Sequence, residues 1–196
     1  MADDEKTTLK TYLQDGRDAL LWKLEGLGER EIRMPLTPTG TNLLGLVKHV
    51  ASVEIGYFGE VFDRPSGVDL PWFADGAELN ADMWATPDES REFIVGLYHR
   101  SWEHSDATID ALPLDAPGSV PWWPEERRPV TLHRILVHMI AETHRHAGHA
   151  DIVRELVDGG RGLLAGRENL PSDDDAWWAG YVSRVRSGAE SFAPGA

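Results

Sequence analysis

Apolar residues recur at helical spacing in four long segments of the chain. The regions between these segments lack the sustained alternation of apolar and polar residues that marks a β-strand. In the first segment, for example, the apolar stripe contains Leu9, Leu13, Leu20 and Leu24. We therefore predict four main helices, over residues 6–27, 41–62, 88–112 and 131–158. Four helices of similar length predict an all-α fold, a four-helix bundle.

The residues at the helix ends agree with these limits. Thr41 or Asn42 can cap the second helix, Thr131 can cap the fourth, and Gly159 follows the last turn of the fourth. Beyond residue 160 the chain begins with glycines and continues with an acidic turn, after which we predict a short helix over 176–185. The expected organisation is a helical bundle over residues 1–160 and a C-terminal extension over 161–196 that packs on the bundle.

Two of the predicted loops carry an unusual number of aromatic residues. The loop over residues 65–87 contains Trp72, Phe73 and Trp84, and the loop over 113–129 contains the pair Trp122 and Trp123. Aromatic side chains in a tethered loop favour packing against the bundle. The first loop is therefore a candidate wall of a pocket, and the second is either an ordinary packed surface loop or an aromatic lid beside a site.

Composition and charge narrow the range of functions. The formal net charge is −14, and nucleic-acid binding normally requires a basic patch, so we expect no nucleic-acid partner. No apolar run approaches the roughly 18 residues of a membrane span, and the acidic N-terminus does not resemble a signal peptide. We expect a cytoplasmic protein with no membrane partner. The chain has no cysteine, so any thiol chemistry must use a thiol from outside the protein.

The fourth predicted helix contains five of the eight histidines. At about 100° per residue, His138, Glu142, His146 and His149 fall on the face that also carries its apolar residues. Polar groups turned toward a core need partners. Glu142 and His146 are four residues apart, so their side chains can direct an oxygen and a nitrogen at one divalent ion.

The second predicted helix offers a third ligand. His49 lies at the edge of its apolar stripe, where a single histidine is more often a hydrogen-bonded core residue than a ligand. Together with the pair on the fourth helix, however, it completes a three-ligand site. We predict that His49, Glu142 and His146 bind one ion, Zn²⁺ or another divalent metal such as Ni²⁺. His149 or His138 could be a fourth ligand, a proton-transfer group or a residue that orients a ligand.

The sequence E-T-H-R-H-A-G-H-A-D over residues 142–151, preceded by His49, resembles the DinB-like superfamily. It is most similar to the branch that includes the N-terminal domain of mycothiol-dependent maleylpyruvate isomerase, whose metal ligands are His, Glu and His. The resemblance implies an up-down-down-up four-helix bundle with a short C-terminal helical extension. It also implies a low-molecular-weight thiol such as mycothiol as cosubstrate.

Two functions from different classes are compatible with these residues. The first is a metal-dependent thiol transferase or isomerase that activates the thiol for attack on a small electrophile, with His149 in proton transfer and Arg145 or Arg154 binding the cofactor. The alternative is a non-catalytic metal-binding or small-molecule-binding DinB-like stress protein, which a fourth protein ligand would favour. A metal-free bundle with a hydrogen-bonded histidine cluster is a third possibility. Monomer and homodimer are both compatible with the sequence.

Overall fold

The protein was analysed as a computed structural model that describes residues 4–192. Its helices are α1 (Glu5–Trp22), α2 (Glu29–Arg33), α3 (Leu43–Phe58), α4 (Arg91–Ala111), α5 (Leu132–Asp158) and α6 (Asp175–Glu190). Two three-residue strands, β1 (Pro117–Ser119) and β2 (Pro129–Thr131), pair antiparallel. Helix α3 packs against α4 and α5, and α1 packs against α5. The predicted all-α bundle with a C-terminal helix is confirmed.

The predicted caps explain where the two site-bearing helices begin. The side chain of Asn42, rather than that of Thr41, accepts a hydrogen bond from the backbone N–H of Gly45 and starts α3. The Thr131 side chain accepts one from the N–H of Arg134 and starts α5. Gly159 ends α5 in a left-handed conformation with φ 76°.

Several predicted limits differ from the structure. The first helix ends at Trp22 instead of 27, because the chain turns through Gly26 at φ 75° and then forms α2. The second ends at Phe58, because Gly59 has a backbone conformation outside the helical region. The β-hairpin was missed because strands of three residues are too short to show an alternating pattern.

A buried ion pair connects α1 with α3. Arg17 Nη2 lies 2.5 Å from Oε1 of Glu54, and neither side chain is more than 1% exposed. Arg17 Nη1 also lies 3.0 Å from Oδ1 of Asp106 on α4. A buried charge is tolerated only with a well-placed partner, so this pair favours one register between the helices. Glu54 follows His49 by five residues on α3.

The long connection between α3 and α4 is fastened to α3 by two side chains. Trp72 donates its indole N–H to the hydroxyl of Ser52 at 3.0 Å. The buried Lys48 donates to the carbonyls of Ala81 and Trp84 at 2.8 and 2.9 Å, and also pairs with Glu89. These contacts hold residues 81–89 against the N-terminal half of α3.

The C-terminal extension contacts the bundle through its first residues. Lys23 donates to the carbonyl of Gly162, and Leu164 packs against the core. Helix α6 contains no buried residue. The boundary at residue 160 and the packing of the extension as a whole stay predictions. None of the helices within residues 4–192 combines the length and the apolar character needed to cross a membrane.

Candidate metal centre

The packing of α3 against α5 brings the three predicted ligands together. Oε1 of Glu142 lies 3.0 Å from Nε2 of His146 and 3.5 Å from Nε2 of His49. The potential ligand atoms of all three residues lie within 4.8 Å of one another. With metal–ligand bonds of 2.0–2.2 Å, tetrahedral ligands are separated by about 3.3 Å. The donor types and their spacing therefore fit a divalent ion after a small inward movement.

Burial gives the three-residue group a closed side and an open side. The His146 side chain is 8% exposed, whereas those of His49 and Glu142 are 17% and 24% exposed. His146 therefore lies on the core side, and the side chains of His49 and Glu142 are partly exposed to solvent. Such a group leaves room for an exchangeable ligand, which a catalytic metal site requires.

Asp82 is a candidate site residue that the sequence analysis missed. Its Oδ2 lies 2.6 Å from Nδ1 of His49. When Nδ1–H donates to this carboxylate, Nε2 of His49 is left to face Glu142. A carboxylate in this position is the usual means of orienting a metal-binding histidine. Asp82 belongs to the connection between α3 and α4, and its spacing along the sequence gave no signal.

The charges around His49 favour a cation in this position. Burial lowers the pKa of His49, but hydrogen bonds with Asp82 and Glu142 outweigh it and raise that pKa to about 9. The bond from His146, followed by that from His49, lowers the pKa of Glu142 well below its usual range. Burial raises the pKa of Asp82, but the bond from His49 brings it below its usual value. Two carboxylates thus surround one imidazole, and a divalent ion can replace its extra proton.

The two other histidines of interest differ in position. The ring of His149 lies edge-on to that of His146, with centroids 5.3 Å apart. Burial, then the charges of His146 and Arg145, lower the pKa of His149. His138 instead packs against the rings of Tyr57 and Trp123. Neither histidine belongs to the convergent three-residue group, and His149 is the neighbour of that group on α5.

The two predicted cofactor-binding arginines also differ. Arg145 is exposed, and its position next to His146 keeps it a candidate for contact with a bound molecule. Arg154 donates to the carbonyls of Lys23 and Glu25 at 3.0 and 2.8 Å and pairs with Asp158. These bonds satisfy carbonyls beyond the end of α1, and the cofactor-binding role of Arg154 stays a prediction.

A cavity of about 810 Å³ lies beside the three-residue group. We call it the α3 groove. It contains His49 and Asp82 at one end and extends along α3 to Glu60. Its walls include Ser52, Val53, Gly56, Tyr57, Val68, Asp69, Leu70, Phe73 and Trp122. The aromatic loops of the sequence analysis thus contribute Phe73 and Trp122 to a pocket wall.

Residues 8–159 match the family model described as Mycothiol-S-transferase. The chain belongs to this mycothiol S-transferase family. The matched span contains His49, Glu142 and His146 and ends before the C-terminal extension. Because this is a DinB-like family, the resemblance stated from the motif over residues 142–151 is confirmed. The family description also agrees with a mycothiol-related thiol transferase.

A solved structure supports the fold. A conserved protein from Enterococcus faecalis is similar, with a TM-score of 0.57 and 19% sequence identity. The similarity covers 81% of this chain and 100% of that protein. At this identity the comparison bears on the fold alone. A comparison with curated proteins gave no match.

Proposed function

We propose that this family member is a metal-dependent mycothiol S-transferase, in which His49, Glu142 and His146 hold one divalent ion, with zinc preferred. The observation that carries the proposal is the convergence of these three donors, from two helices, beside a cavity. The protein has no thiol of its own. A bound ion with an open coordination position would stabilise the thiolate form of an incoming thiol near neutral pH.

The protein residues have separate tasks in this reaction. Asp82 holds Nδ1 of His49 and so turns Nε2 toward the ligand group. Glu142 contributes the one negative charge among the three ligands. His149 accepts the thiol proton on a ring nitrogen, because its ring lies beside that of His146 and its lowered pKa favours the neutral imidazole. The mycothiol sulfur then forms a bond with the electrophilic carbon, and the leaving group on that carbon departs with the electron pair of the bond that breaks.

A metal-free bundle is the competing hypothesis, and a specific observation favours it. Protonated His49 lies between the carboxylates of Asp82 and Glu142, at 2.6 and 3.5 Å. This arrangement pairs His49, Asp82 and Glu142 without an ion, although the buried Nδ1 of His146 has no hydrogen-bond partner within residues 4–192. The non-catalytic metal-binding alternative has less support, because neither His138 nor His149 joins the group as a fourth ligand.

The deciding experiment measures metal content and mycothiol transfer on the same preparations. The wild-type protein should contain about one ion per chain, lose transfer to a neutral electrophile after chelation, and regain it with Zn²⁺. Glu142→Ala should lose both the metal and the activity. His133→Ala is the matched control, since His133 lies on α5 but pairs with Glu5 at the surface. Full transfer by the metal-free protein would contradict the proposal.

A further inference from the structure

The α3 groove follows a single face of α3 away from the candidate metal centre. His49, Ser52, Val53, Gly56 and Tyr57 all line it, and spacings of three and four residues place them on one side of a helix. At 1.5 Å per residue, the distance from His49 to Tyr57 along the axis is about 12 Å. A small molecule lying in the groove would therefore have one end beside the proposed thiolate.

The chemistry of the groove walls is apolar with acidic edges. The larger aliphatic and aromatic side chains that line it are Val53, Ile55, Tyr57, Val68, Leu70, Phe73 and Trp122. Its carboxylates are Glu60, Asp69 and Asp82. Within the described residues, the lining contains no lysine or arginine. Away from the His49 end, a carboxylate ligand would lose its hydration on the apolar wall, find no lysine or arginine there, and be repelled by Glu60 and Asp69.

Gly56 keeps the middle of the groove open. A β-carbon at this position would meet only the Trp122 ring, at 3.4 Å. The Trp122 ring in turn lies edge-on to that of Tyr57, with centroids 5.2 Å apart. The backbone of α3 and two aromatic rings thus bound a space that a larger side chain at residue 56 would fill.

We propose that the α3 groove binds the electrophile, and that it selects uncharged apolar molecules over anions. The inference rests on the proposed function, which puts the thiol at the His49 end. A hydroxyl-rich thiol such as mycothiol would leave many of its hydroxyls unpaired on these walls, so its sugar portion lies outside the groove. For a neutral haloarene, the thiolate sulfur forms a C–S bond, the C–halogen bond breaks, and halide leaves with the electron pair. The thiol proton goes to His149 and then to water.

The test measures binding with two unreactive probes, so that it does not depend on turnover. Zinc-loaded full-length protein is titrated calorimetrically with 1,3-dinitrobenzene and with 3,5-dinitrobenzenesulfonate. The two probes differ by one sulfonate, an anion that coordinates zinc only weakly. We expect the neutral arene to bind at least about tenfold more tightly than the anion. A tenfold ratio corresponds to a difference of roughly 1.4 kcal/mol in binding free energy. Equal affinities, tighter binding of the sulfonate, or no binding of the neutral arene would overturn the inference.

Two substitutions locate the binding in the groove. Gly56→Leu should weaken binding of 1,3-dinitrobenzene more than tenfold, whereas Gly96→Leu, at a helical glycine of α4, should leave it unchanged. Asp69→Lys should narrow the neutral-to-anion preference several-fold. Asp75→Lys makes the same charge change in the same loop but outside the groove, and it should leave the neutral-to-anion preference unchanged. Unchanged binding in Gly56→Leu would contradict the assignment, while loss of thiol transfer with intact probe binding would contradict only the proposed function.

Discussion

At the residue scale, the candidate centre depends on the orientation of His49. The Glu142 and His146 pair belongs to one helix, and its i, i+4 spacing was readable from the sequence. The contribution of Asp82 was not readable from the sequence, because Asp82 contacts His49 from a loop 33 residues away. That contact depends on how the connection between α3 and α4 folds back, which no local pattern encodes.

Asp82→Asn tests the orienting role of this carboxylate. The substitution keeps the side-chain size but removes the negative charge beside Nδ1 of His49. We expect zinc affinity to fall about 10–100-fold with the overall fold retained. Competition with a chromophoric chelator measures this affinity. Asp75→Asn, an exposed change in the same connection, is the control, and equal affinities for the two variants would contradict the role of Asp82.

The raised pKa of His49 predicts a pH dependence of stability in the metal-free protein. The pKa is about 9 in the folded chain and about 6.5 in an unfolded one. Folding therefore favours the protonated form of His49. The resulting stabilisation of the folded chain is complete below pH 6.5 and is lost as the pH rises to about 9. We expect the free energy of unfolding to decrease by on the order of 2 kcal/mol over this range.

Urea unfolding of chelator-treated protein at several pH values measures this change. In His49→Gln the pH dependence between 6.5 and 9 should be correspondingly smaller, because the titrating group is gone. The difference between the two proteins cancels contributions from other groups. Parallel stability curves for wild type and variant would show that His49 is not held as an imidazolium.

At the element scale, the long connection between α3 and α4 has the largest effect on the site. It contributes Asp82 to the candidate centre and Phe73 to the α3 groove, and Lys48 and Trp72 fasten it to α3. Apolar periodicity predicted α1, α4 and α5 well because each of them buries one face along its length, whereas α3 is buried on almost every side. It could not predict the path of this connection, which is set by hydrogen bonds from Lys48 to backbone carbonyls.

Lys48→Met tests this anchoring. The variant keeps the aliphatic stem but loses the donors to Ala81 and Trp84, so residues 81–89 should lose their fixed position. We expect weaker zinc binding although no ligand is altered, measured by the same chelator competition. In an Asp82→Asn background, Lys48→Met should weaken zinc binding no further, because both substitutions act through the contact between Asp82 and His49. Additive losses in the double variant would contradict this coupling.

At the scale of the whole molecule, the bundle and the extension contribute unequally. The family match ends at residue 159, and α6 has no buried residue. The resemblance carried by His49 and residues 142–151 implied the bundle, and it agreed with the ligand set predicted from helical spacing. The anchoring of the extension by Lys23 was not predictable, because its partner is a backbone carbonyl far along the chain.

Two truncations test this division. A chain ending at residue 170 should keep the thermal stability and zinc affinity of the full-length protein. A chain ending at residue 158 removes Gly162 and Leu164, which leaves the buried Lys23 with fewer acceptors, and it should lose about 1–3 kcal/mol. Thermal and urea unfolding measure both. Equal stability of the two truncated chains would show that these contacts contribute nothing.

The most direct test of the central claim is the absorption spectrum of the Co²⁺-substituted protein with and without mycothiol. The chain contains no cysteine, so a sulfur-to-cobalt charge-transfer band can arise only from the added thiol. We predict that cobalt binds at one ion per chain and that mycothiol produces this band in the wild type, but not in His146→Ala. A protein that binds no cobalt, or whose cobalt spectrum mycothiol leaves unchanged, would contradict the account.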